Sequence, residues 1–342
     1  MKKISLGSTG LMVSKTSLGC LPIQRCTNED AVRILRAAYE GGINYFDTAN
    51  AYTDSEYKIG LALSDVRENI VISTKSAARD KETVLKHIEN SLRTMKTDYI
   101  DLFQFHQVPS PPDPNEAGGA YEGALIAKER GWIRHIGVTS HSIDAAEACI
   151  ASGNFETLQF PFSYISSERD LALADKCKAA GMGYIAMKGL AGGLLSDARL
   201  CHAFMQQYDN VVPIWGVQTM EELNQWLALS EQDIVLDDEM KAKIDSDRRQ
   251  LGSSFCRSCG YCMPCPVGIE IRNCARMNML LRRSPWQQYF TPEWQAKMAK
   301  INDCLECHRC SSRCPYSLDT PSLLKYMLKD YNEFYEAHKA EL

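Results

Sequence analysis

The sequence predicts a parallel (β/α)8 barrel with an N-terminal β-hairpin, followed by a small, mainly α-helical, cysteine-rich domain. Three observations carry this. Strand-like and helix-like segments alternate eight times over roughly the first 235 of 342 residues, which means parallel strands joined by helical crossovers. The turn after the first of these strands, Leu18-Gly19-Cys20-Leu21-Pro22, lacks the Gly-x-Gly-x-x-Gly of a dinucleotide-binding open sheet, so eight units favour closure into a barrel. Cysteine is distributed unevenly: of 14, five precede Gly252 and nine follow it.

The elements follow in chain order. Residues 4–13 place two apolar-rich strands around Gly7-Ser8-Thr9-Gly10 and read as the hairpin. The barrel strands are expected at Thr16–Cys20, Asn44–Asp47, Ile70–Lys75, Tyr99–His106, Ile133–Thr139, Thr157–Ser163, Gly183–Lys188 and Val211–Trp215. Helical periodicity lies between them at Glu29–Glu40, Glu82–Met95, Tyr121–Arg130 and Glu168–Ala180. Thr27, Ser167 and Thr219 stand where N-caps belong. Pro109–Pro114 with Gly118-Gly119 marks a flexible loop after the fourth strand. A charged linker helix over Asp237–Leu251, closed by Gly252, separates a barrel domain (1–235, linker 236–251) from the tail domain (252–342). In the tail, Thr291-Pro292 and Thr320-Pro321 each put Pro at a first helical position. No internal repeat stands out.

Composition excludes several classes. With 45% hydrophobic and 24% charged residues the chain is an ordinary globular one. The net charge of −5, with no basic run, gives no electrostatic reason to bind nucleic acid or an anionic membrane. No apolar stretch approaches the ~20 residues of a membrane span, and Lys2-Lys3 leads into no signal-peptide core. A cytoplasmic location is expected. The 26 basic and 34 acidic residues up to Leu251 leave −8, whereas 12 basic and 9 acidic residues beyond it leave +3.

Barrel active sites sit at the carboxyl ends of the strands. Asp47 ends the second strand and Tyr52 follows five residues on; Lys75 ends the third strand and His106 the fourth. Each alone has an ordinary structural reading, but together they form a chemical set. A phenol titrates near ~10, too high for an efficient proton donor at neutral pH. A neighbouring ammonium favours the phenolate, and a carboxylate holds that ammonium in place. An imidazole beside the phenol orients or polarises a carbonyl oxygen. This is a proton relay for carbonyl–alcohol interconversion.

The run Asp47–Glu56, with Lys75 and His106 at the next strand ends and Leu6–Ser14 as hairpin, resembles the aldo-keto reductase family over roughly residues 1–235. The resemblance implies a (β/α)8 barrel that transfers hydride from NAD(P)H to a small carbonyl substrate, or from an alcohol in reverse. It implies Tyr52 as general acid/base, Lys75 lowering its pKa, Asp47 paired with Lys75, and His106 orienting substrate. For the cofactor it points to Ser140, His141 (where many members have Asn) and Gln159 at the nicotinamide carboxamide. Met187 takes the slot of a stacking aromatic, and Lys188-Gly189-Leu190 begins the Gly-rich run near the pyrophosphate. Gly216, Gln218 and Glu222 fall at the adenosine phosphate. A carboxylate there favours a ribose hydroxyl over a 2′-phosphate, although Thr219-x-x-Glu222 also reads as a capping box.

The tail carries Cys256-x2-Cys259-x2-Cys262-x2-Cys265-Pro266 and Cys304-x2-Cys307-x2-Cys310-x3-Cys314-Pro315. The second is the bacterial-ferredoxin run, and the first is one residue shorter before its fourth Cys. Zinc prefers separated Cys pairs and disulfides suit secreted domains, so the runs predict two [4Fe-4S] clusters. Because the fourth Cys of such runs ligates the other cluster, one cluster is expected on Cys256, Cys259, Cys262 and Cys314, the other on Cys304, Cys307, Cys310 and Cys265. The helical stretch between the runs resembles the α-helical dicluster ferredoxins, and the whole chain resembles aldo-keto reductases with a C-terminal ferredoxin-like domain. Cys274 reads as a buried small hydrophobe.

Two functions compete. The first is a nicotinamide-dependent oxidoreductase. The second is an electron-transfer or redox-sensing module that uses the barrel as a docking scaffold. Hydride carries two electrons and a cluster takes one, so direct coupling calls for a flavin or a substrate radical, and the sequence shows no flavin motif; a ferredoxin or flavoprotein would be the electron partner. Clusters that only staple a small tail fit the first reading too.

Overall fold

A computed structural model describes residues 1–251, 255–283 and 286–341; the expected stop at Gly252 lies outside the described residues. The chain divides into two compact units, Met1–Gly189 with Ala198–Leu236, and Leu190–Asp197 with Asp237–Leu342.

The first unit opens with the antiparallel pair β1 (Lys3–Ser5) and β2 (Met12–Ser14). The barrel strands and their helices are β3 (Ser17–Gly19), α1 (Asn28–Glu40), β4 (Tyr45–Asp47), α2 (Ser55–Leu63), β5 (Val71–Ser76), α3 (Lys81–Met95), β6 (Ile100–Phe105) and α4 (Ala120–Glu129). They continue with β7 (Ile133–Thr139), α5 (Ile143–Ser152), β8 (Thr157–Pro161), α6 (Glu168–Ala179), β9 (Gly183–Met187), α7 (Ala198–Gln206), β10 (Val211–Gly216) and α8 (Met220–Ser230). β3 to β10 form a closed parallel barrel in sequence order, β10 pairing with β3. Leu6 and Val13 of the hairpin are buried among Tyr45, Val71, Leu102 and Ile185, plugging the amino end. Gly7 permits this approach: at φ +59 its added Cβ would stand 2.2 Å from the backbone nitrogen of Gly183.

Thr27, Ser167 and Thr219 cap α1, α6 and α8 as expected, each hydroxyl accepting the N–H three residues on. Several strands are shorter than the pattern suggested. His106 and Lys188 lie one residue past their strands, and Ser163 lies beyond β8. These are the positions where the chain leaves the sheet for the loops at its carboxyl end.

The second unit holds α9 (Asp238–Leu251), then α10 (Ile271–Cys274), α11 (Met277–Arg283), α12 (Pro292–Ala299), α13 (Arg309–Ser312) and α14 (Thr320–His338). Pro292 is the first residue of α12, whereas α14 already begins at Thr320 behind Asp319 and has Pro321 second. The loop Leu190–Asp197, expected with the barrel, counts with this unit; Arg276 Nη1 donates to Gly192 O at 2.9 Å. No described helix is long and apolar enough to cross a membrane.

Candidate active site and cluster ligands

Parallel register sets the acidic and basic groups side by side. Asp47 of β4 pairs with Ser73 of β5, and Lys75 pairs with Gln104 of β6. Alternate residues share a strand face, so the rows Tyr45/Asp47, Ser73/Lys75 and Gln104/His106 build two adjoining polar layers. Asp47 is buried and fully engaged: Lys75 Nζ donates to Oδ1 at 2.6 Å and Ser73 Oγ to Oδ2 at 2.6 Å. Gln104 Nε2 donates to Oδ2 at 3.2 Å and Gln159 Nε2 to Oδ1 at 3.4 Å. Tyr45 OH lies 2.9 Å from Ser73 Oγ, extending the network. Lys75 also donates to Thr48 O. Burial works against the Lys75 charge, but Asp47, Tyr52 and Cys20 together outweigh it and the ammonium is held above its ordinary pKa.

Tyr52 sits in a turn closed by Tyr52 N to Ala49 O (2.9 Å) and Ser55 N to Tyr52 O (2.8 Å), directly before α2. The turn is fastened to its neighbours by Asn50 N to Lys75 O (3.0 Å), by Ser55 Oγ to Cys20 O (2.9 Å) and by Thr74 Oγ1 donating to the buried Glu56. The Lys75 ammonium is 5.3 Å from the Tyr52 ring centroid, and the His106 ring meets Tyr52 edge-on at 5.9 Å and 77°. All four residues of the set therefore converge. Burial raises the Tyr52 phenol by more than Lys75 lowers it, so its net shift is upward. Burial, then Lys75 and Arg79, lower His106 to about 3. At neutral pH the imidazole is uncharged, able to donate one hydrogen bond and accept another.

The expected cofactor residues divide. His141 is buried and pushed far below its ordinary pKa, first by burial and then by Lys188 and His106, which puts it in the same electrostatic neighbourhood. Gln159 is drawn into the carboxylate network, its Oε1 accepting from Gln104 at 2.9 Å. Ser140 shapes the turn before α5, its hydroxyl donating to Val108 O at 2.9 Å. Met187 ends β9 half-buried and Lys188 is left-handed at φ 58. Gly189 leaves room for Trp215, whose ring would lie 2.4 Å from an added Cβ; Trp215 stacks on Trp226 at 3.8 Å. Leu190 begins the segment that counts with the second unit. Beyond β10, exposed Gly216 leads to Gln218. Glu222 closes its own helix end, accepting from Gln218 N (2.8 Å) and Thr219 N (3.3 Å) in a full capping box.

Sequence reasoning passed over Ser73, Gln104 and Tyr45. The signal was available, since each lies two residues before Asp47, Lys75 or His106, on the same face.

In the second unit all eight cysteines of the two runs are free thiols. Cys256, Cys259, Cys262 and Cys314 line one pocket. Cys304, Cys307, Cys310 and Cys265 line another, which Cys262 also borders. Among the described residues no three His, Cys, Asp or Glu groups converge as ligands of one ion. The two runs also share a backbone that the sequence does not announce. Left-handed residues occur two and four positions after the first Cys (Ser258 and Gly260; Glu306 and His308) and three after the fourth (Gly268; Ser317). One loop geometry is thus used twice. Cys274 is buried, as expected.

The aldo/keto reductase family profile matches residues 3–203, and a 4Fe-4S dicluster domain profile matches residues 255–319. The chain belongs to the aldo/keto reductase family, an oxidoreductase carrying a C-terminal 4Fe-4S dicluster domain. The uncharacterized oxidoreductase YqkF of Bacillus subtilis is 30% identical over 219 residues, 59% of this chain and 69% of its own. Aldo-keto reductase YhdN of the same bacterium is 30% identical over 218 residues, 57% of this chain and 64% of its own. Among solved structures, an aldo-keto reductase from Bacillus halodurans in its holo form matches with TM-score 0.63 at 23% identity, over 72% of this chain and 96% of that one. One from Klebsiella pneumoniae in complex with NADPH matches with TM-score 0.61 at 24% identity, over 72% and 95%. These structural likenesses concern the fold.

Proposed function

We propose that the barrel interconverts a small carbonyl compound and its alcohol, with Tyr52 as general acid/base. The observation that carries this is the buried Lys75–Asp47 pair, 2.6 Å apart, placed against Tyr52 and a neutral His106. A bound nicotinamide nucleotide supplies or accepts the hydride; NADPH, bound by the Klebsiella relative, is the first to try. In reduction, Tyr52 OH donates its proton to the carbonyl oxygen as that oxygen gains charge. Lys75 stabilises the phenolate left behind, and Asp47 keeps Lys75 protonated and aimed. His106 Nε2 or Nδ1 donates to the same oxygen and fixes its direction. In oxidation the phenolate takes the proton back. His141 stands beside this centre as the residue to meet the carboxamide, and Met187 as the apolar wall for the ring.

In the tail, Cys256, Cys259, Cys262 and Cys314 would hold one [4Fe-4S] cluster and Cys304, Cys307, Cys310 and Cys265 the other, the crossed sets that the two cavities favour. Bound there, the clusters would supply one-electron capacity.

Tyr52→Phe tests the barrel reading. Turnover of a panel of aldehydes with NADPH or NADH should fall at least ~100-fold, the scale of general acid catalysis, while nucleotide affinity by fluorescence titration stays within about twofold. Unchanged turnover would refute it.

A further inference from the structure

Lys58 of α2 is a buried cation, only 1% exposed, that the reaction drawn above does not use. Burying an ammonium costs free energy unless it is paired and hydrogen-bonded. Here all three of its N–H groups have acceptors: Nζ meets Asp54 Oδ2 at 2.8 Å, Cys26 O at 2.8 Å and Ile23 O at 3.2 Å. Asp54 follows Tyr52 by two residues in the same turn, whereas Ile23 and Cys26 belong to the 20–27 loop between β3 and α1. Two hydroxyls join the same two segments: Ser55 Oγ donates to Cys20 O at 2.9 Å and Thr53 Oγ1 to Gln24 Oε1 at 3.2 Å. The loop is itself anchored, Cys20 N donating to Asp47 O at 2.7 Å and Cys26 Sγ to Gln218 O at 3.3 Å.

Local preferences are overridden in this turn. Asp54 stands at the N-cap of α2, where an Asp ordinarily accepts an N–H of the first turn, yet its side chain makes no cap. The carboxylate goes to Lys58 instead. Thr53, β-branched and next to Tyr52, has φ +36, a backbone that such a residue keeps only when its surroundings impose it. The bonds to the 20–27 loop are those surroundings. Enclosed by three acceptors, the Lys58 ammonium is not placed to meet substrate; what it holds is the segment that carries Tyr52.

We propose that Lys58 is a positioning residue for Tyr52: through Asp54 it clamps the Tyr52 turn onto the 20–27 loop, and so fixes where the phenol stands relative to Lys75 and His106. The inference rests on the role of Tyr52 proposed above, but one of its readouts does not. A phenol displaced by a fraction of a bond length leaves the pocket formed and transfers its proton poorly, so the clamp shows in turnover rather than in binding.

The test uses the full chain in wild type, Lys58→Met and Asp54→Asn. Met keeps the buried stem and removes the three donors; Asn keeps an acceptor oxygen and removes the charge. Steady-state kinetics on an aldehyde that the wild type reduces are measured beside NADPH affinity by fluorescence titration, urea unfolding, and hydrogen exchange over amides 52–55. In Lys58→Met, kcat should fall at least ~10-fold, toward the ~100-fold that a misplacement of about 1 Å costs, with KM and nucleotide affinity within about twofold. The same variant should exchange these amides faster. Asp54→Asn should show the same pattern at smaller size. Should Lys58→Met fail to fold, Asp54→Asn decides, because the Asp54 side chain is 46% exposed and the change is made partly in water. A folded variant with wild-type kcat, or a fall in kcat that only tracks lost folded protein, would overturn the proposal. Faster exchange in a chain whose wild type reduces no carbonyl compound would instead sink the oxidoreductase reading and leave the clamp standing.

Discussion

The two chemical centres of this chain are built on opposite physical plans. In the barrel, every charge that matters has its partner within the protein: Asp47 accepts from Lys75, Ser73, Gln104 and Gln159, and the strands carrying them are pinned by parallel ladders. In the tail, eight thiols line two pockets, and four of the unit's helices have only four to eight residues. Helices that short do not persist alone in water. The barrel's carboxylate network is closed within the protein, whereas the tail's thiols are, by the reading proposed above, cluster ligands. A catalytic dipole must be preorganised to lower a barrier; a cluster ligand only has to be within reach of its iron.

The largest effect should come from breaking the barrel's plan at its centre. Lys75→Met leaves Asp47 buried without its counter-ion, a loss on the order of 3–5 kcal/mol in stability, and takes away the group that stabilises the phenolate. Turnover should fall by at least ~1000-fold and the barrel's unfolding midpoint in urea should drop, with both clusters still loaded. A variant with normal midpoint would show that Asp47 is supported without Lys75.

The tail is sharpened by Cys314→Ala and Cys265→Ala, made separately. Cys314→Ala should lose the cluster of the first run and Cys265→Ala that of the second, each reducing iron to about half. Mössbauer spectra of selectively loaded protein, with hydrogen exchange over α10 or α13, identify which cluster has gone. If each loss removed the cluster of its own run, the ligand sets would be uncrossed. Barrel unfolding should stay unchanged in both, since its carboxylate network contains no thiol.

The smallest effect concerns pH. The folded pKa of His106, near 3, lies below the unfolded value of about 6.5. The unfolded chain therefore binds the extra proton between those values. The corresponding stability is complete above pH 6.5 and declines as pH falls toward 3. His106→Phe should reduce the slope of unfolding free energy against pH between 5 and 6.5 by up to about 1.4 kcal/mol per pH unit. Denaturant titrations followed by tryptophan fluorescence measure it; His141, shifted the same way, accounts for a slope that remains.

Much of this was legible in the residues alone. The eight strands, the hairpin and the N-caps follow from periodicity and side-chain chemistry, which are local. Asp47, Tyr52, Lys75 and His106, which the fold brings together, could be picked out because a barrel concentrates its chemistry at strand ends, and those four types suit the proton relay proposed above. The cysteine spacing specified a polynuclear cluster because ligand reach is encoded within a few residues. Tertiary structure decided what depends on neighbours distant in sequence. It made Ser73 and Gln104 supports of Asp47 through strand register, gave Glu222 to its own helix end, and imposed one left-handed pattern on two dissimilar cysteine loops. It also brought Arg276 to Gly192 across 84 residues. Sequence fixes which groups the chain owns and their local geometry. Burial and long-range pairing, which only the closed fold creates, determine which charges survive and what each group touches.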